Sequence, residues 1–404
     1  MGTLEETRKN PPCSKSHPFL TFALDLTRIH RSTWMRLGEA ASKVEHIAST
    51  PLPPTVKREL QLIYLTRGVQ ATTAIEGNTL TEEQVRMAVE GQLMLPLSQQ
   101  YLQQEVENIL SACNEVAATI RRGEQFPLTR ETFSRFNQIT LDRLALEKDV
   151  APDEIRSHPV VVGNVYRAVP YECCSELLDA LVEWLGHEEW NRIADTTGPW
   201  RTAIALLRAL VAHLYIAWIH PFGDGNGRTA RLIELTVLAN AGVPLPAAHL
   251  LSSFFNKTRN EYYRQLSLAA QQPNDVSSFI QYAVDGFVDG LTDQLSLVDG
   301  WVGALAWSKT VRDALNDQNV GDEVRDRRAK LADALAENPL GIPRGRIAIF
   351  NPDISTLYAG KTTKTASRDL NALRELDLVT ITGNIVTANV ELLSQLLPSR
   401  ALLN

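Results

Sequence analysis

The stretch His220-Pro221-Phe222-Gly223-Asp224-Gly225-Asn226-Gly227-Arg228-Thr229-Ala230-Arg231 separates two apolar runs of helical spacing. Pro221 ends the first helix, and Gly223, Gly225 and Gly227 permit backbone conformations that other residues resist. The second helix is predicted to start near Asn226, so its unpaired N–H groups and positive dipole end face the loop. That is an anion site. Arg228 and Arg231 add two guanidinium forks suited to phosphate oxygens. Asp224 is a hard carboxylate able to hold Mg²⁺ against those phosphates. His220 titrates near neutral pH and can take a proton from an incoming hydroxyl. Together these groups suit phosphoryl or nucleotidyl transfer, in which positioning and charge neutralisation dominate. A plain Gly-rich turn between helices does not need a His, an Asp, an Asn, three Gly and two Arg within twelve residues.

Working outward, the run 203–219 is the most apolar of the chain, broken by Arg208 and His213. It falls short of the ~20 apolar residues that span a bilayer, so a buried core helix is predicted and no membrane partner is expected. His213 reads as a satisfied core histidine. Helices are also predicted over 175–184, 226–240, 257–270 and 276–311, through much of 57–113, and after Thr129 as an N-cap. Between 156 and 169 the pattern changes. Pro159-Val160-Val161-Val162-Gly163-Asn164-Val165-Tyr166 is β-branched with a turn signal at its middle, which predicts a hairpin.

A polar, charged stretch at 316–328 marks a predicted domain boundary. Beyond it come helices over 329–337 and 363–376, then the alternating 379–387 around Gly383-Asn384. Helix, helix and hairpin wing is the order of a winged helix-turn-helix module. From Gly341 onward seven Lys/Arg face five Asp/Glu. That surplus is thin for a DNA-binding surface, so DNA and protein docking weigh equally for this tail.

The chain has 404 residues, 44% hydrophobic and 22% charged, with a net charge of −7. Such a balance is that of globular domains with ample length for a core, and it argues against bulk attraction to nucleic acid. Four cysteines without a CxxC pair are too few for a disulfide scaffold, and Cys173-Cys174 read as two unrelated thiols. A reducing, cytoplasmic setting follows. The acidic start, Met1-Gly2-Thr3-Leu4-Glu5-Glu6, has no apolar segment of a secretory signal. Gly225-x-Gly227-x-x-Ala230 formally fits a dinucleotide fingerprint, but a helix precedes it where a strand is required. Gly360-Lys361-Thr362 lacks P-loop spacing, and His17-Pro18-Phe19 lacks glycines and arginines.

A second constellation is Thr72-Thr73-Ala74-Ile75-Glu76-Gly77-Asn78-Thr79-Leu80. Gly77 or Asn78 would end a helix through a left-handed residue. Thr79 would cap the next, with Glu82 or Glu83 in its first turn. Nothing in that reading singles out Glu76.

The 220–231 stretch resembles the HPFxDGNGRxxR signature of Fic proteins at every fixed position. The resemblance implies a mainly α fold, a Fic-type helical core with a short β-hairpin flap and here a small winged helix-turn-helix domain. It also implies transfer of AMP from ATP·Mg²⁺ to a Ser, Thr or Tyr hydroxyl of a target protein, or of the chain itself. His220 would be the base, Asp224 the metal ligand, and Gly225, Asn226 and Gly227 the anion hole. Arg228 would steady the phosphate chain and Arg231 the γ-phosphate, while Phe222 anchors the loop. Thr72 and Glu76 match the [S/T]xxxE[G/N] inhibitory motif, so Glu76 would pair with Arg231 and misplace ATP. Arg156, Val160, Val161, Val162 and Gly163 resemble the flap that aligns the acceptor segment, and Tyr263 would contact adenosine.

The layout implied is an N-terminal helical region at 1–120 with an inhibitory helix at about 64–78. A catalytic core at 121–315 with a flap at about 156–168 follows, then a linker and winged domain at 316–404. A homodimer is compatible with it. Competing activities are UMP, phosphocholine or phosphate transfer, an AMP-removing hydrolase, and a nucleotide-sensing transcriptional regulator.

Overall fold

The apolar run before the loop folds as one helix, Gly198–Ile219. By length and composition it could cross a membrane, but most of it is buried inside the protein. A helix apolar all round belongs in a core. The computed structural model describes residues 3–5, 13, 15–162, 166–194, 198–271, 275–389 and 392. They form two units, Met1–Asp293 and Gln294–Asn404.

In the first unit strands β1 (Thr3–Glu5) and β2 (Ala23–Asp25) pair antiparallel. Helices α1 (Arg31–Ser49), α2 (Pro54–Ile75), α3 (Glu82–Val89), α4 (Gln100–Arg121) and α5 (Arg130–Leu141) follow. A hairpin of β3 (Val161–Val162) and β4 (Tyr166–Arg167) comes next, pairing Val161 with Arg167. Then come α6 (Tyr171–Gly186), α7 (Glu188–Ala194), α8 (Gly198–Ile219), α9 (Asn226–Asn240) and α10 (Leu245–Ala248). Helices α11 (Leu250–Lys257), α12 (Arg259–Gln271) and α13 (Ser277–Asn316) complete the run. The α8–α9 pair is the hub. Helices α1, α6 and α7 pack on α8, while α4 and α5 pack on α9.

Helix α2 reaches this hub through a close approach. Gly68 faces the buried His249, and a Cβ there would overlap the imidazole ring. Pro54 opens α2 at its first turn, where a missing N–H costs nothing. Gly77 lies at φ +107° just past its end.

Several sequence expectations need correction. The cap of α3 is Thr81, with Gln84 in a capping box, and not Thr79. Asn78 Oδ1 accepts from the Leu80 amide at 3.0 Å, which carries the chain past Thr79 before the helix can begin. The helix expected at 257–270 is α12, starting two residues later at Arg259; Lys257 ends α11, and Thr258, whose hydroxyl donates to the Phe254 carbonyl at 2.8 Å, separates the two. Cys173 is not a lone thiol: it is bonded to Cys13, and only Cys113 and Cys174 are free among the described cysteines. That bond removes the thiol argument for a reducing compartment. Beside it, His17 meets the Arg167 carbonyl at 3.2 Å and Phe19 packs edge-on against Trp218, so the early arm is structural packing.

The second unit holds the last part of α13, then α14 (Asp322–Ala336), β5 (Ile342–Pro343), α15 (Pro352–Tyr358) and α16 (Thr363–Glu375). Strands β6 (Val379–Thr382) and β7 (Ile385–Ala388) close it, in the sheet order β5-β7-β6. Its core joins Trp307, Val311 and Leu315 of α13 to Leu331, Leu370 and Val386. Those three side chains explain why the division falls within α13 and not at 316–328. Asp369, buried in α16, accepts from Arg327 at 2.7 Å, Arg328 at 3.0 Å and the Tyr358 hydroxyl at 3.0 Å.

Candidate active site

The loop between α8 and α9 is held from four sides. Asn226 Oδ1 accepts from the Phe222 amide at 2.9 Å, and its Nδ2 donates to the Phe222 carbonyl at 2.8 Å. Phe222 itself is fully buried. From α5, Asn137 donates to the Asp224 carbonyl at 2.8 Å and accepts from the Asp153 amide at 3.1 Å. Arg156 braces the loop to the hairpin base. Its Nε donates to the His220 carbonyl at 2.7 Å, Nη1 to His158 at 2.8 Å and Nη2 to Val169 at 2.5 Å.

Gly225 stands at φ +76° as the N-cap of α9 and supplies no side-chain cap. The first amides of α9 therefore have no partner within the helix. Around them lie Arg228 and Arg231, both buried. Among the described residues, Nε and Nη1 of each are buried with no hydrogen-bond acceptor. Buried guanidinium N–H groups left without an acceptor are costly unless an anion supplies one.

Asp224 sits at the rim, its side chain 54% exposed, with Arg228 Nη2 3.3 Å from Oδ2. No cluster of three or more His, Cys, Asp or Glu suited to a metal occurs among the described residues. A divalent cation here would draw on one protein carboxylate and on its ligand's phosphates, a donor set that suits Mg²⁺.

His220 adopts φ +48°, a left-handed conformation that a non-glycine residue holds only when its surroundings impose it. Nδ1 contacts the Ala217 carbonyl at 3.4 Å. Burial pulls its pKa down to about 4; Arg156 adds to the fall, while Ala217, Glu76 and Asp224 oppose it. The ring is neutral at physiological pH.

Glu76 reaches this site from the end of α2. Its Oε1 lies 2.5 Å from Arg231 Nη2, and the same Nη2 donates to the Thr72 carbonyl at 3.0 Å. Burial alone would raise the Glu76 pKa, but Arg231, with help from Arg228 and His220, brings it below the ordinary value. The carboxylate also covers Gly227: a Cβ there would fall inside contact distance of Oε1 and 3.3 Å from Arg231 Nη1. Gly227→Ala and Glu76 should therefore compete for one space. We expect Gly227→Ala to destabilise the wild type but not the Glu76→Gly variant, with a coupling of about 1–3 kcal/mol in a double-mutant cycle of urea melts. Additive effects would remove Glu76 from above Gly227.

Tyr263 lies beside this pair, 43% exposed, and its hydroxyl donates to the Ile75 carbonyl at 3.4 Å. Arg259 donates to Ala74 at 3.3 Å. With Arg231 on Thr72, three donors thus cap the last carbonyls of α2, where cations are favoured. Two further residues carried no sequence signal strong enough to find them. Glu105 of α4 stands 3.8 Å from Arg228 Nη1 and accepts from Asn78 Nδ2 at 2.7 Å, so the turn after Glu76 is tied to the second arginine. Asn137 is buried in α5, among side chains whose spacing signals only a helix. Of the flap residues, Val161 is exposed at the hairpin and Val162 pairs with Tyr166 through the backbone. Gly163 lies outside the described residues. His213 is a core histidine, 2.8 Å from both Glu234 and the Tyr262 hydroxyl.

The loop, its capless helix start and its two arginines lie within residues 127–238, which match the Fic/DOC family. These residues form a Fic domain. The chain is 26% identical over 260 residues to "Protein adenylyltransferase fic-1" of Caenorhabditis elegans, covering 64% of this chain and 46% of that protein. It is 27% identical over 248 residues to "Protein adenylyltransferase Fic" of Nematostella vectensis, 61% of this chain and 52% of the relative. The chain thus spans about half the length of these curated relatives. Among solved structures, a Fic family protein from Desulfovibrio desulfuricans G20 superposes with a TM-score of 0.53 at 22% identity. The overlap covers 87% of this chain and 91% of that one. A Fic domain containing signaling protein from Bacteroides thetaiotaomicron VPI-5482 gives 0.53 at 21% identity, covering 66% and 97%. At such identities the likeness concerns the fold.

Proposed function

We propose that the chain transfers AMP from ATP to a Ser, Thr or Tyr hydroxyl of a target protein, and that Glu76 holds the reaction off. One observation carries this reading: the buried, unpartnered N–H groups of Arg228 and Arg231 beside the capless start of α9, with Glu76 on Arg231. The arginines and the amides of 225–227 would neutralise the triphosphate. His220 would accept the hydroxyl proton as that oxygen attacks the α-phosphorus, and the α–β phosphoanhydride bond would break to release pyrophosphate. Asp224 would hold Mg²⁺, which supplies charge neutralisation at the phosphates. The exposed edge at Val161 would align the acceptor segment by strand pairing, and Tyr263 would meet the adenosine. The similarity to proteins named adenylyltransferases supports AMP over phosphate transfer.

The test is mass spectrometry of Glu76→Gly protein incubated with ATP, Mg²⁺ and lysate. An AMP adduct on a hydroxyl side chain, in the chain itself or in a target, is the expected product. Adducts of UMP or phosphate alone would redirect the assignment.

For the tail, the order α14-β5-α15-α16-β6-β7 supports a winged helix-turn-helix reading. Asp369 is one of the five acids counted against DNA, yet it is buried and spent on Arg327 and Arg328. Among the counted cations Lys361 is likewise paired, with Glu323 at 2.9 Å, so the surplus of two is unchanged. A mobility shift on the chain's own upstream region, weakening steeply with salt, is the expected result. No shift at low salt would leave a protein-docking tail.

A further inference from the structure

At the end of the α8–α9 pair remote from the signature loop lies a cleft of about 540 Å³. Phe126, Trp190, Ile204 and Val237 supply its apolar walls, and Arg201 and Arg208 of α8 its charge. The two arginines are seven residues apart, so they share one face of the helix, about 10 Å apart along its axis.

Arg208 is the unusual member. Its Nη2 donates to the Leu185 carbonyl in the last turn of α6, while its Nε is buried with no acceptor. No carboxylate forms an ion pair with Arg208 or Arg201 among the described residues. Burial alone pulls Arg208 down to about 10, with no negative group to oppose it. A guanidinium in such a place remains protonated, so its cost is met only by a partner with negative charge. Capping one α6 carbonyl explains Nη2. It explains neither the buried Nε, nor the second arginine, nor the open volume in front of them.

We propose that this cleft is a second binding site, for a small organic anion. Its phosphate or carboxylate meets Arg208, its apolar body lies against Phe126, Ile204 and Val237, and Arg201 stands at the mouth. The volume falls in the ordinary range of small-molecule sites. Arg208 precedes His220 by twelve residues, or about 18 Å of helix, so this site is distinct from the nucleotide cleft and independent of the activity proposed for it.

Calorimetry on the full chain with phenyl phosphate, benzoate and benzyl alcohol tests the assignment. Phenyl phosphate or benzoate should bind saturably at millimolar concentration or below, and the stronger of the two identifies the preferred anion. Benzyl alcohol should not bind. Arg208→Met should weaken the anion at least tenfold. Ala205→Phe, which fills the cleft and keeps Arg208, should abolish binding and decides the matter if the methionine variant does not fold. The proposal is overturned if neither anion binds, if benzyl alcohol binds as tightly, or if either variant retains wild-type affinity.

Discussion

In a Glu76→Gly background, His220→Ala is expected to lower AMP transfer by about 10²–10⁴-fold, the range a positioned general base supplies. ATP affinity should be almost unchanged, because the phosphates rest on Arg228, Arg231 and the start of α9. The pH profile makes the assignment sharper. A base must be neutral to accept a proton, and burial holds His220 near 4 in place of 6.5. Transfer should therefore be flat above about pH 5 and fall only as pH drops through 4. Glu76 raises the His220 pKa, so loss of its charge by itself moves the inflection lower. An inflection between 6 and 7 in kcat/KM would show that burial does not hold His220 near 4, whereas loss of transfer in His220→Ala tests its role. The same depression ties folding to pH: the unfolded chain takes up this proton below about 6.5 and the folded one only near 4. Stability from this group is complete above 6.5 and declines as pH falls through that window.

The second large effect belongs to Glu76→Gly. Its carboxylate occupies Nη2 of Arg231, a side chain only 1% exposed, and stands over Gly227. A hydrogen bond to a charged group is worth about 1.5–3 kcal/mol. Freeing that donor should raise ATP affinity about 10–100-fold, with a parallel rise in auto-labelling. Glu76→Gln, which keeps a hydrogen bond without the charge, should fall between. Calorimetry with ATP on the three proteins decides the point; equal affinities would show that Glu76 is no brake.

The helical segments of the core were readable because each rests on local spacing, as in the apolar run that became α8. Errors came where a distant or side-chain partner intervened. Asn78 moved a helix start from Thr79 to Thr81 by bonding Leu80. Thr258, its hydroxyl on the Phe254 carbonyl, moved a helix start from 257 to 259. Cys13 and Cys173 are 160 residues apart, and nothing in either neighbourhood announces the bond. In the tail, β5 is two residues long and exists only because β7 pairs with it.

The signature loop was legible for a similar reason. Its glycines, its proline and the start of α9 act on backbone within a few residues, so twelve consecutive letters contain both the bend and the anion-binding groups. Sequence by itself therefore determined the helix–loop–helix, its charge and the place of the histidine proposed as the base. The motif resemblance implies that Glu76, 155 positions away, meets Arg231; folding alone decided that Glu105 and Asn78 connect this pair to Arg228, and that Arg208 has no ion pair among the described residues. Local conformation depends on near neighbours along the chain. Which charge is answered, and by what, depends on how the helices pack.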